Sequence, residues 1–365
     1  MKISEVLSFL EEKYPLHYQE DFDNCGVQCG DKEQEITGVL VCFEMSEETI
    51  DEAIRRNANL VISHHPLILR KGIFKIEPTN RVGRVICKAL ENKMVLYSMH
   101  TNLDSAEGGV NDTFAAKLGL ENVKVLSPID AGLCKIAFFV PADHAGSVCD
   151  ALFEAGCGRI GNYDHCAYKL SGTGTFRPND AAHPFIGKAG VTESVEEERI
   201  EMVFPAHLQK KVIETLYQSH PYEEPAFDIY RIENTNRKVG LGRIGELPEA
   251  MPAKIFLLKL KETFGLQMVR YYGNDEGFVR RVAVLGGGGS SFIGQAMAAG
   301  ADLYITGDIK YHDFHSADRR MLIADIGHFE SEHFIKEIIY NELKENFNTF
   351  AVSLSEVEKL QISII

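Results

Sequence analysis

Five residues carry the chemistry this chain could do: His64, His65, Asp104, His328 and Glu332. The two adjacent histidines are followed by Pro66. Neighbouring imidazoles suit two metal ions better than one, because a single ion would strain the geometry. Alone, the pair also reads as loop histidines that cap a strand and meet water. Asp104 closes the run His100-Thr101-Asn102-Leu103-Asp104. A carboxylate there can bridge two cations and hold them a few ångströms apart. His328 and Glu332 are four apart in Gly327-His328-Phe329-Glu330-Ser331-Glu332. On the first turn of a helix they share one side and can converge. The plainer reading of that turn is acids complementing a helix dipole. Three imidazoles and two carboxylates, with no thiolate, suit borderline to hard ions: Zn, Fe, Mn or Co. The expected cofactor is two divalent ions per chain.

All five lie where a predicted strand stops, the place where α/β proteins gather ligands and reacting groups. The apolar run Leu60 to Ile62 reads as a buried strand, and Pro66 forbids its continuation. Before it come a strand from Ile36 to Val41 and a helix opened by Ser46 as N-cap. This is a β-α-β unit, the sign of a parallel sheet. A second unit follows, with a helix over Asn80 to Asn92 and a strand over Met94 to Ser98 that leads into His100. Later strands are expected at Val282 to Leu285, Asp302 to Thr306 and Met321 to Ala324, with a helix over 331–344. Residues 39–65 and 282–308 both run strand, loop, helix, strand, and look like a divergent internal repeat. Such a repeat would face two equivalent strand ends into one cleft. Around Pro128 the pattern changes to β-α-β-β-α-β, which is ferredoxin-like. The expected fold is therefore α/β. Two related halves form one discontinuous domain, 1–127 with 237–365, around a metal site, and 128–236 is an inserted ferredoxin-like α+β domain.

Other polar residues fall near these strand ends. His100 and Asp308 are expected as neighbours of the site, and His312, just past a repeat-related strand end, as a proton shuttle. Gly287, Gly288, Gly289 and Ser290 lie between a strand and a helix. Their N–H groups could hold an anion, or the glycines could form a tight turn that admits something close. Asp21 to Gly30 is turn-rich and reads as a structural loop, though its acids could also support the site from behind. His220-Pro221-Tyr222-Glu223-Glu224-Pro225 reads as a proline-stiffened connection between helix and strand, or else as a ligand-facing loop. Arg177 and His183 have no assigned role.

The chain has 365 residues, with 53 acidic against 38 basic and a formal net charge of −15. That balance argues against general nucleic-acid binding or an anionic membrane surface. The start, Met1-Lys2-Ile3-Ser4-Glu5, runs into an amphipathic helix and is not read as a signal peptide. No apolar run approaches the roughly 20 residues a spanning helix needs. Eight scattered cysteines contain no Cys-x-x-Cys pair, so reduced thiols and a cytoplasmic location are expected.

His-His-Pro, His-Thr-Asn-Leu-Asp, Thr-Gly-Asp-Ile-Lys-Tyr-His and Gly-His-x-x-Ser-Glu, in this order, resemble the Nif-three-like family. The resemblance covers the whole chain, including the middle domain of longer bacterial members. That domain is marked by Gly172-Thr173-Gly174-Thr175-Phe176-Arg177-Pro178 and the stretch from His220 to Asp228. The resemblance implies a ring-shaped homohexamer with a dinuclear metal centre, whose members are often named GTP cyclohydrolase I type 2 homologues. It carries the metal-ligand role onto His64, His65, Asp104, His328 and Glu332. At Asp308 a glutamate is more usual, which leaves that residue's role and that of His312 open. Two functions follow as expectations. One is a metal-dependent hydrolase acting on a nucleotide or small phosphorylated metabolite. The other is a metal-binding scaffold or regulator whose inserted domain binds a partner or signal ligand.

Overall fold

The computed structural model describes residues 1–68, 75–129 and 132–358. The chain divides into two compact units, Met1–Pro128 with Arg237–Ile365, and Ile129–Asn236. The first unit opens on the helix Ile3–Lys13, where Ile3, Val6, Leu7 and Leu10 recur at helical spacing and are all buried. Then come β1 (Gly26–Cys29), β2 (Gly38–Cys42), β3 (Leu60–Ser63), β4 (Val95–Ser98) and β5 (Glu121–Pro128). Helix Glu47–Arg55 is capped by Ser46, whose Oγ accepts the Thr49 N–H at 3.2 Å. Helix Arg81–Glu91 is capped by Asn80, whose Oδ1 accepts the Gly83 N–H at 2.8 Å. These caps satisfy N–H groups that have no partner within the helix. The two helices return the chain, so β2, β3 and β4 pair in parallel.

The second unit contains β6 (Leu133–Pro141), β7 (Tyr168–Phe176), β8 (Glu193–Pro205) and β9 (Phe227–Arg231). They form one antiparallel sheet in the order β7-β8-β6-β9. Helices Ala145–Glu154 and Gln209–Ser219 complete it. Its core joins Ile136, Phe138, Ile200 and Met202 to Val148 and Leu216.

The first unit resumes with β10 (Gly240–Pro252), β11 (Arg270–Tyr272), β12 (Phe278–Gly288), β13 (Leu303–Gly307), β14 (Leu322–Asp325) and β15 (Ala351–Leu354). Its strands form two sheets, β1-β4-β3-β2-β15 and β11-β14-β13-β12-β10-β5. Each contains an antiparallel strand beside three parallel ones, so β1-β4-β3-β2 corresponds to β11-β14-β13-β12. Side chains on a strand alternate between faces. Val39, Val41, Leu60 and Ile62 therefore share one core with Val284, Ile305 and Ala324 of the other sheet. Leu40, Val61 and Leu96 turn the other way, onto Ile50 and Val85 of the helices. Ala283, Tyr304 and Ile323 likewise meet Ile293 and Ala296. The two sheets thus pack face to face with helices outside.

The structure departs from the sequence reading in two places that matter for the site. Asp21 to Gly30 is not wholly loop, because β1 pairs antiparallel with β4 across a bulge between Val27 and Cys29. The helix expected over 331–344 is two pieces, His328–Glu332 and Ile335–Asn346. The chain re-aims between them so that Phe334, Ile335 and Ile339 reach the core.

Candidate metal centre

At the end of β3 the Ser63 hydroxyl donates to the His65 carbonyl at 2.6 Å, and the Ser98 hydroxyl reaches the same oxygen at 3.3 Å. The His64 and His65 N–H groups donate to the carbonyls of Cys42 and Phe43. The backbone of both histidines is therefore fixed. Their rings are fixed as well. His64 is fully buried, with Nδ1 2.8 Å from the Met99 carbonyl. A carbonyl only accepts, so Nδ1 carries the proton and Nε2 holds a lone pair. That lone pair faces Glu332 Oε2 at 3.5 Å and Asp104 Oδ1 at 3.9 Å.

The same arrangement repeats. His65 Nδ1 is 2.7 Å from Glu44 Oε1, and His328 Nδ1 is 2.7 Å from Asp308 Oδ2. His100 Nδ1 is 2.9 Å from Asp23 Oδ1. Four imidazoles thus commit one nitrogen to an outer acceptor, the arrangement that orients metal-bound histidines. The remaining Nε2 atoms of His65 and His328 lie 3.4 and 3.2 Å from Glu332 Oε2. They lie 3.3 Å from each other.

Glu332 is 2% exposed, and its Oε2 has no hydrogen-bond partner, like His64 Nε2 and Asp104 Oδ1. Buried polar atoms left unpaired are costly. Ligand atoms about 2.1 Å from a tetrahedral ion stand roughly 3.4 Å apart, close to the spacing among these atoms. Among the described residues, three groups have ligand atoms within 4.8 Å of one another: His64, Asp104 and Glu332; His65, His328 and Glu332; and His64, His65 and His100. The donor set therefore fits divalent metal. Asp104 belongs to one of these groups and Glu332 to two.

The electrostatics follow from burial and these pairings. Burial drives His64 down to about 4, so it is neutral. Burial also works against charge on His65, but Glu332 and Glu44 outweigh it and raise the ring to about 10. His328 is raised to about 9 against its own burial by Glu332 and Asp308. Burial and the Glu332 charge push Asp104 well above the usual carboxylate range. Glu332 itself is held well below that range despite burial, by the surrounding imidazoles. Metal requires neutral imidazole, so metal must displace these protons. We expect the metal-free protein at pH 7.5 to release about one proton or more per chain on taking up zinc. The release should shrink as pH rises through 9 to 10, and uptake should tighten over the same range. A pH-indicator titration in weak buffer reads both, and uptake without proton release would refute this account of the resting site.

The remaining expectations fare unevenly. Asp308 sits at φ +57°, a left-handed conformation that Asp tolerates better than most residues, and from there it orients His328. His312 is exposed on the short helix Tyr311–Phe314, with its ring against Tyr311. It is not among the residues brought together. Three N–H groups of the glycine loop are committed within the chain. Gly286, Gly287 and Gly289 donate to Asn111 Oδ1, Ser331 Oγ and Thr306 Oγ1 at 2.9 to 3.0 Å. A Cβ at Gly287 would overlap Glu332 Oε1, so the glycines admit that carboxylate.

Sequence reasoning missed Glu44, and it ranked a structural loop above a site role for the acids around Asp23. Glu44 lies just past the end of β2, a strand-end position that could have been scanned. Glu358 was also missed. Its carboxylate accepts the N–H groups of Phe43 and Glu44 at 2.7 and 2.6 Å and pairs with Lys336 at 2.9 Å. It therefore fixes the peptide from which Glu44 holds His65.

The Duf34/NIF3 (NGG1p interacting factor 3) family profile matches residues 1–361. The chain belongs to the Duf34/NIF3 family. A Duf34/NIF3 relative from Bacillus subtilis (strain 168), named GTP cyclohydrolase 1 type 2 homolog, is 41% identical over 346 residues, 94% of this chain and 92% of that protein. A Staphylococcus aureus (strain MSSA476) protein of the same name is 35% identical over 355 residues, 97% of this chain and 96% of its own. The crystal structure of a Bacillus cereus protein related to NIF3 superposes with a TM-score of 0.88 at 37% identity, covering 100% of this chain and 99% of that one. A second solved structure, from Staphylococcus aureus, gives 0.78 at 30% identity with the same coverage. No described helix of this Duf34/NIF3 chain is long and apolar enough to cross a membrane.

A cavity of about 660 Å³ opens beside His65 and His328. Phe43 and Phe329, edge to face at 5.3 Å, form an apolar wall. Arg270 lines it too, held by Asp325 at 3.2 Å and the Ile309 carbonyl at 3.0 Å.

Proposed function

We propose that this chain is a metal-dependent hydrolase with a dinuclear centre. One ion would be held by His64, Asp104 and Glu332, the other by His65, His328 and Glu332, with His100 facing the first two histidines. Bound there, two cations would supply Lewis-acid polarisation and a water acidified towards neutral pH. The chain's own contribution is orientation. Met99, Glu44, Asp308 and Asp23 fix the imidazoles, and Phe43 and Phe329 keep water from one wall of the cavity. The substrate is a nucleotide or other small phosphorylated metabolite, consistent with the relatives' name. Its flat part would rest on those rings and an anionic group near Arg270. The protein would work as a homo-oligomeric ring whose chains each carry an inserted ferredoxin-like domain.

The observation that carries this reading is Glu332 Oε2, buried, unpartnered and within 3.5 Å of three imidazole nitrogens beside an open cavity. The test is a turnover screen of purine nucleotides and phosphomonoesters with the zinc- and manganese-loaded protein, with Asp104→Ala alongside. Hydrolysis lost in the variant, with its fold intact by circular dichroism, supports the proposal. Turnover that is equal in the variant removes the centre from the mechanism. If nothing is turned over while chelation dissolves the oligomer, the scaffold reading prevails.

A further inference from the structure

The stretches Gly172 to Pro178 and His220 to Asp228 converge on a cavity of about 420 Å³ within the second unit. We infer that this cavity is a binding site for an organic monocation, a substituted ammonium with an apolar body. Three rings enclose it without stacking. Phe176 and Tyr222 have centroids 5.8 Å apart at 59°, and Phe185 and Tyr222 are 6.4 Å apart at 47°. Splayed aromatic faces attract a cation through their negative quadrupoles. Phe139 lines the cavity too, but Arg199 already lies over its ring at 5.8 Å. That leaves Phe176, Phe185 and Tyr222 as the faces for the ligand.

Charge selects the same class. Glu197, Glu223 and Glu224 line the cavity against one cation, Arg177. Glu223 gives an oxygen to the His183 N–H at 2.8 Å, and Glu224 to the Tyr217 hydroxyl at 3.2 Å. Glu197 lies across Gly174, where a Cβ would overlap its carboxylate, so glycine leaves room for the acid. Burial and the Glu197 charge both raise the Tyr222 phenol, which stays neutral as a cage wall must.

The wall is also preorganised. The Tyr222 N–H donates to His220 Nδ1 at 3.0 Å, so His220 Nε2 carries the proton and donates to the Phe139 carbonyl at 2.9 Å. This neutral histidine ties the Tyr222 loop to β6, and Pro221 and Pro225 stiffen it from either side. A site that is already formed loses less affinity to ordering.

The test uses the full chain with choline and its neutral isostere 3,3-dimethylbutan-1-ol, titrated by saturation-transfer NMR. Choline should saturate, and the alcohol should bind about tenfold more weakly or worse. Glu197→Gln keeps the shape and should weaken choline about tenfold. Phe185 is 56% exposed, so Phe185→Ala leaves the core intact and should also weaken it. Equal binding of the alcohol would show only an apolar cavity. Failure of choline to saturate, or binding unchanged in both variants, would overturn the assignment.

Discussion

Replacing Glu332 with Ala is expected to remove both ions from each chain, whereas His328→Ala should remove one and leave the other. The asymmetry follows from position. Glu332 belongs to two of the three ligand groups, while His328 belongs to one. Losing a single oriented ligand typically weakens metal by orders of magnitude, and losing a shared one acts on both ions. Elemental analysis after dialysis without added metal should read about two ions for the wild type, about one for His328→Ala and near zero for Glu332→Ala. Glu332 is buried among atoms that a metal would otherwise satisfy, so the Ala variant should still fold. Circular dichroism checks this. Two ions retained by Glu332→Ala would refute the shared position.

The second large effect concerns stability. Arg243 is 2% exposed and holds Asp112 through two nitrogens, at 2.5 and 2.9 Å. It also donates to the carbonyls of Gly240, Gly242 and Ala106 at 2.8, 2.9 and 3.0 Å. Ala106 ends the short helix Thr101–Ser105 that carries Asp104. One guanidinium therefore ties β10 to the element that presents a proposed ligand. Arg243→Met would leave three carbonyls and a carboxylate without their donor. We expect a loss of about 3–5 kcal/mol in urea unfolding of the first unit. Arg243→Lys should recover little, because an ammonium cannot serve a fork of acceptors. Asp112→Asn, with Asp112 partly exposed, should cost less. A loss below about 1 kcal/mol for Arg243→Met would mean that water replaces these bonds freely.

Which parts of this were legible beforehand has a physical pattern. The parallel strands were readable because β2, β3 and β13 are buried throughout and show as unbroken apolar runs. Helix starts at Ser46 and Asn80 were readable because caps are local chemistry. By contrast β5 exposes five of its eight residues and β11 has three residues, so neither left a periodic signal. The histidines and acids near strand ends could be gathered from sequence. Their pairing could not, because the distance from Glu332 to three imidazoles is set by two sheets packing together. Glu358 had no signal at all, since its partners are backbone N–H groups 314 and 315 residues away.

The separation of the two halves also has a consequence for how the protein is made. His65 and His328 lie 263 residues apart in sequence yet meet at the centre. At about 5–20 residues per second, a ribosome takes roughly 15–50 s to travel from one to the other. During that interval the nascent chain displays an adjacent histidine pair without Glu332. Such a partial site favours whichever ion binds nitrogen most strongly, copper above zinc. Asp104 stands beside His64 early, but Glu332 and His328 join the same volume only when the later strands are in place. On the proposed function, the choice of metal would be deferred until Glu332 and His328 arrive, and a chain that stalls early would have no means of making it.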